Sequence, residues 1–138
     1  MKLKDLSSHH AETLRKKYPN VPEYAIPHKK FSDKSANELT ASIIEAIRQA
    51  GGWATRINSG GIYDKKFNGF RQSTTQSGTA DVHCCIGGKH ISIEIKFGND
   101  KQSEAQQKVQ QQIRAAGGLY FIARNWFEFS EWFEKIRK

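Results

Sequence analysis

Three residues in the second half of the chain have the types and spacing to do chemistry: Asp81, Glu94 and Lys96. Glu94 and Lys96 stand two apart in ISIEIKF (91–97). There Ile91, Ile93 and Ile95 alternate with Ser92, Glu94 and Lys96, the period of a strand with one apolar and one polar face. Upstream, TADVHCCI (79–86) also alternates and puts Asp81, His83 and Cys85 on one face. Gly87–Gly88 between the two runs reads as a hairpin turn. A register that sets Asp81 beside Glu94 is geometrically reachable. Two carboxylates held close repel each other unless a cation sits between them. Hard oxygen ligands of this kind suit Mg²⁺ or Mn²⁺. A lysine beside them can position a water or stabilise charge on a phosphate. The chemistry indicated is metal-assisted attack of water on a phosphodiester. The competing reading is a solvated strand face with a cross-strand salt bridge.

The elements around these residues follow from periodicity and punctuation. SANELTASIIEAIRQAGG (35–52) reads as a helix with Leu39, Ile43, Ile44 and Ile47 on one stripe, capped by Ser35 or Asn37 and stopped by glycines. WATRIN (53–58) reads as a strand, and the polar, glycine-rich 59–78 as a long loop or mobile hairpin. SEAQQKVQQQIRAAGG (103–118) is a second helix and LYFIAR (119–124) a short buried strand. NWFEFSEWFEKIRK (125–138) closes as an amphipathic helix with Trp126, Phe129, Phe133 and Ile136 toward the core. Residues 1–35 hold all three prolines and several basic pairs, which predicts an arm with a short helix over 10–17. The remaining 36–138 form one domain, in the order helix, three strands, helix, strand, helix. That order implies an α/β sandwich with a central mixed sheet flanked by helices.

The motifs GTADV (78–82), IEIK (93–96), SEAQ (103–106) and AAGG (115–118), with NEL…AGGWATRINSGG (37–61) before them, resemble the PD-(D/E)XK nuclease superfamily. Within it they look most like the VRR-NUC branch, related to the Holliday-junction-resolvase-like nucleases, over about residues 36–134. The resemblance implies a restriction-endonuclease-like fold and a metal-dependent, structure-selective DNA endonuclease. Asp81 and Glu94 would then be metal ligands, with the backbone carbonyl of Ile95 as a third. Lys96 would orient or activate the attacking water, and Gln106 would steady the site. Glu38 matches the carboxylate that many members turn toward the metal, with Glu45 as a fallback. The motif's proline is Ala80 here, a position at which the superfamily varies. Related resolvases act as symmetric dimers, and a homodimer is compatible with the apolar last helix.

Charge agrees with such a partner. Lys and Arg number 22 against 14 Asp and Glu, a net +8, which suits a polyanion such as DNA. Arg56, Asn58 and Ser59 at the end of the first strand, and Lys65, Lys66 and Arg71 in the loop, are candidate DNA contacts. Tyr63, Phe67 and Phe70, interleaved with them, could stack on bases or fold onto the body. No apolar run approaches the roughly 20 residues that span a bilayer, and the first residues lack the apolar stretch of a secretory signal. Cys84 and Cys85 are adjacent, a poor geometry for a bridge, and read as reduced thiols of an intracellular protein. His83, Cys85 and His90 lack the spacing of a zinc site. Two other function classes stay open: a nuclease-like fold that binds nucleic acid without cutting it, and an interaction protein for an acidic partner.

Overall fold

The computed structural model describes residues 1–57, 62–66, 68–71 and 74–137, with 62–64, 70 and 71 described as backbone. The elements are α1 (Leu3–Lys17), a 3₁₀ turn (Glu23–Ala25), α2 (Ala36–Gln49), β1 (Trp53–Arg56), β2 (Ile62–Asp64), β3 (Gly69–Arg71), β4 (Val82–Ile86), β5 (Lys89–Ile95), α3 (Glu104–Ala115), β6 (Leu119–Ala123) and α4 (Trp126–Ile136). The protein is α/β. Its main sheet has four strands in the order β1-β4-β5-β6, and β2 and β3 form a separate two-stranded ribbon. The sheet is mixed: β1–β4 and β4–β5 are antiparallel, whereas β5–β6 is parallel and crosses over through α3.

Alternation along each strand decides which face meets which helix. Ala54, Val82, Cys84, Ile91, Ile93 and Ala123 join Leu39, Ile43, Ile47, Phe129 and Phe133 in one core against α2 and α4. Cross-strand pairs share a face, so Ser92 and Tyr120 point the other way, toward α3. Ser35 caps α2 by accepting from the Glu38 N–H, and Asn125 caps α4 in the same manner. Gly87 and Gly88 have φ of +59° and +77°, as a two-residue type I′ hairpin turn requires.

Two expectations need correction. The N-terminal helix starts at Leu3, not at residue 10. Leu6 and Phe31 also belong to the core, so much of the segment expected as an extended arm packs on the body. The Phe31 N–H donates to Ser7 Oγ at 3.1 Å, and Gln49 Nε2 donates to the Leu6 carbonyl at 2.9 Å. The first strand ends at Arg56, short of the expected residue 58. Within 59–78 the antiparallel β2–β3 ribbon is the hairpin of the two alternatives read there. Among the described residues no helix is long and apolar enough to cross a membrane.

Candidate active site

The hairpin register pairs Val82 with Ile93, and one step further Asp81 comes opposite Glu94. The ladder with β4 ends there, which leaves the Ile95 N–H facing the β4 side without a main-chain acceptor. Asp81 supplies one: the Ile95 N–H donates to Asp81 Oδ2 at 2.7 Å. In a strand a residue's N–H and C=O point to the same side. The Ile95 carbonyl therefore lies on the edge that carries Asp81.

Glu94 is 1 % exposed, because α3 roofs this face of β5. Its two oxygens each accept a hydrogen bond, Oε1 from Gln106 Nε2 at 2.7 Å and Oε2 from Tyr120 Oη at 2.6 Å. Gln106 is aimed by the start of its own helix. Ser103 Oγ accepts from the Gln106 N–H, while Gln106 Oε1 accepts from the Ser103 N–H at 2.8 Å, a reciprocal cap. With Oε1 committed to that bond, the amide nitrogen is the end left for Glu94. Gly78 makes room for this turn. A Cβ at Gly78 would meet the Ala105 carbonyl carbon at 2.5 Å and the Gln106 nitrogen at 2.9 Å. Its φ of +85° also favours glycine.

Burial pushes the Glu94 carboxyl above its usual range; the Tyr120 hydrogen bond opposes this, repulsion from Asp81 adds to it, and Lys96 partly offsets it. Lys96 Nζ lies 3.9 Å from Glu94 Oε1, near enough for attraction and too far for a hydrogen bond. Burial also raises the Tyr120 hydroxyl, and its bond to Glu94 adds to the shift. Tyr120 therefore stays protonated as a donor.

No family model matches the chain, and no curated protein does either. What the site does has to follow from its side chains.

The structure brings together Asp81, Glu94, Lys96 and Gln106 at the C-terminal end of β5. The reading of this face as solvated, with a cross-strand salt bridge, does not describe it: Glu94 is buried, and Lys96 follows it in the same segment, just past the end of β5. Glu38 lies on the first turn of α2, exposed, on the helix that covers the opposite face of the sheet. Among the described residues no three His, Cys, Asp or Glu side chains group to hold a metal, so Glu38 is not gathered with the pair. Glu45 instead accepts from Gln49 and bonds His10 Nδ1 at 2.9 Å. Arg56 pairs in register with Val82 and donates to Asn37 Oδ1 at 2.9 Å, toward the start of α2. Lys65 and Lys66 are exposed in the turn between β2 and β3. Arg71 is placed as backbone in β3, while Asn58, Ser59 and Phe67 lie outside the described residues.

The sequence reading missed Tyr120. In LYFIAR it passes for core, yet its register with Ser92 puts it on the polar face. A tyrosine on a buried strand needs a partner for its hydroxyl, and that is the signal that was available.

Proposed function

We propose that the chain is a metal-dependent DNA endonuclease of the PD-(D/E)XK type, with a restriction-endonuclease-like core and a preference for branched DNA. The observation that carries this reading is the convergence of Asp81, Glu94, Lys96 and Gln106 at one strand end. The donor set fits a hard divalent cation such as Mg²⁺ or Mn²⁺. Two carboxylates lie close, one is pushed toward its protonated form by burial and by the other, and a nearby cation would relieve that strain. Asp81, Glu94 and the Ile95 carbonyl would hold it. When bound it supplies Lewis acidity and neutralises charge at the scissile phosphate.

The chain's own groups do the rest. Gln106 and Tyr120 hold both oxygens of Glu94, and the Ile95 N–H holds Asp81. Lys96, half-buried, offers its ammonium protons to a water or a phosphate oxygen at the mouth of the site. Arg56, Lys65, Lys66 and Arg71, with Asn58 and Ser59, are proposed to contact the DNA backbone around it. A second reading, binding of nucleic acid without cleavage, draws on one observation: both Glu94 oxygens are already engaged by protein donors.

The test is cleavage of labelled duplex, single strand, flap, nicked duplex and four-way junction with Mg²⁺, with Mn²⁺ and with chelator. The wild type should cut only with metal. Asp81→Ala and Glu94→Ala should lose at least about 10³-fold while keeping the fold, and Lys96→Ala should lose most activity yet still bind. Full activity in either carboxylate variant would sink the site. Tight, salt-sensitive binding with no cutting of any substrate would favour the second reading.

A further inference from the structure

Residues 1–35 hold eight Lys and Arg against four Asp and Glu, a net +4 out of the chain's +8. Folded back on α2, the segment forms a groove of about 310 Å³ lined by Ser7, Ser8, Arg15, His28, Lys29 and Lys30. Among the described residues no carboxylate lines it, and two of the segment's four are paired with the segment's own cations. Glu23 takes two hydrogen bonds from Arg15 Nε and one from Nη2, at 2.6–2.9 Å, and lies 3.9 Å from His28. Glu12 pairs with Lys16 at 3.4 Å. Lys29, whose ammonium lies over the Phe31 ring at 5.0 Å, and Lys30 have no carboxylate partner among the described residues, so the groove keeps a positive surplus.

Beside the groove stands an exposed aromatic patch. Of the seven exposed large hydrophobic residues among those described, three fall within seven positions: Tyr18, Val21 and Tyr24. Tyr24 is 92 % exposed, yet its backbone is anchored on both sides. Arg15 clamps Glu23 before it, the Ala25 N–H donates to the Pro22 carbonyl at 2.9 Å, and Ile26 after it is buried. An exposed ring presented on an ordered turn offers a base a stacking face at little entropic cost.

We propose that this folded N-terminal segment is a docking surface for single-stranded nucleic acid, with phosphates in the groove at Lys29 and Lys30 and a base stacked on Tyr24. A duplex has no unpaired base to give the ring, which is why the occupant is a single strand. The proposal rests on the nucleic-acid partner argued above and deepens it. It places the unpaired arm of a branched substrate on the N-terminal side of α2. The chain from Lys30 runs from the groove into that helix's first turn, where Asn37 receives Arg56.

The experiment is anisotropy of fluorescein-labelled dT₂₀ and of a duplex of equal length, in chelator and across a salt series. The full chain, Lys29→Glu/Lys30→Glu and Tyr24→Ala are compared, with melting curves to confirm folding. The double variant should weaken dT₂₀ binding at least about tenfold and lower the salt slope by about 1.4, two phosphates' worth for a single strand. Tyr24→Ala should cost about tenfold on dT₂₀ and leave the duplex unchanged. Unchanged affinity and slope in the double variant would overturn the groove, and if that variant still cuts DNA with Mg²⁺ the nuclease reading survives. Equal losses on duplex and single strand in Tyr24→Ala would overturn the stacking role. A wild type that binds no oligonucleotide, or only vesicles of phosphatidylserine and phosphatidylcholine, would overturn both readings.

Discussion

The two faces of β5 are buried to the same depth by different means. On one, Ile91 and Ile93 lie against α2 and α4 in an apolar core. On the other, Ser92 and Glu94 are equally hidden beneath α3, and their side-chain oxygens have partners: His90 for Ser92, Gln106 and Tyr120 for Glu94. Burial on the first face stabilises by removing apolar surface from water. Burial on the second raises the energy of a charge and then compensates it with fixed donors. Stability and chemistry are thereby assigned to alternate residues of one strand.

The sharpest way to break the comparison is to change one residue on each face. Phe129→Ala empties a fully buried site against the inner face and should cost about 3–5 kcal/mol at any pH between 5 and 8. Glu94→Gln should do the reverse. The folded protein raises the Glu94 carboxyl above 4.5, so its contribution to stability is fully present below that value and is lost as pH rises through the raised one. Removing the charge should therefore raise Tm relative to wild type, more at pH 8 than at pH 5, at about 2–4 °C per kcal/mol. Thermal melts of both variants without metal decide this. A loss in Glu94→Gln as large as in Phe129→Ala would mean that the outer face is simply a second core.

Gly78→Ala tests how tightly the roof sits. The new methyl would press on the first turn of α3, in a backbone conformation that costs an L-residue about 1–2 kcal/mol. We expect a stability loss of about 2 kcal/mol and a fall in cleavage larger than that loss explains, because the displaced turn carries Gln106 away from Glu94. Wild-type cleavage in this variant would show that the roof is not what positions Glu94.

Much of this arrangement was legible beforehand. The isoleucine alternation, the Gly87–Gly88 turn and a cap at Ser35 or Asn37 depend on neighbours in sequence, and they made a register with Asp81 beside Glu94 reachable; the observed pairing of Val82 with Ile93 selects it. What was not legible depended on distance or on choice among equals. Gln102, Gln106 and Gln107 look alike along the chain; only the cap with Ser103 points Gln106 at the carboxylate. Tyr120 becomes polar-faced only through its parallel pairing with β5, formed across the α3 crossover. The early start of α1 was hidden because Ser7, Ser8, His9 and His10 weaken the helical signal. What holds that helix is packing of Leu6 against the core.

Tyr120→Phe is the finest cut, a single oxygen removed from the outer face. The Tyr120 hydroxyl is what draws the Glu94 carboxyl back down against burial. Without it Glu94 ionises only at higher pH, and any step that needs the carboxylate charged moves with it. Cleavage by the variant should fall most at the acid end of its profile, by about tenfold, the factor that ~1.4 kcal/mol of a lost charged hydrogen bond represents. It should recover toward wild type as pH rises, so that the acid limb of the pH–rate profile shifts upward. A uniform drop with the limb unmoved would assign Tyr120 to packing alone. Because phenylalanine keeps the ring, that outcome would also imply that Gln106 by itself suffices to hold the carboxylate.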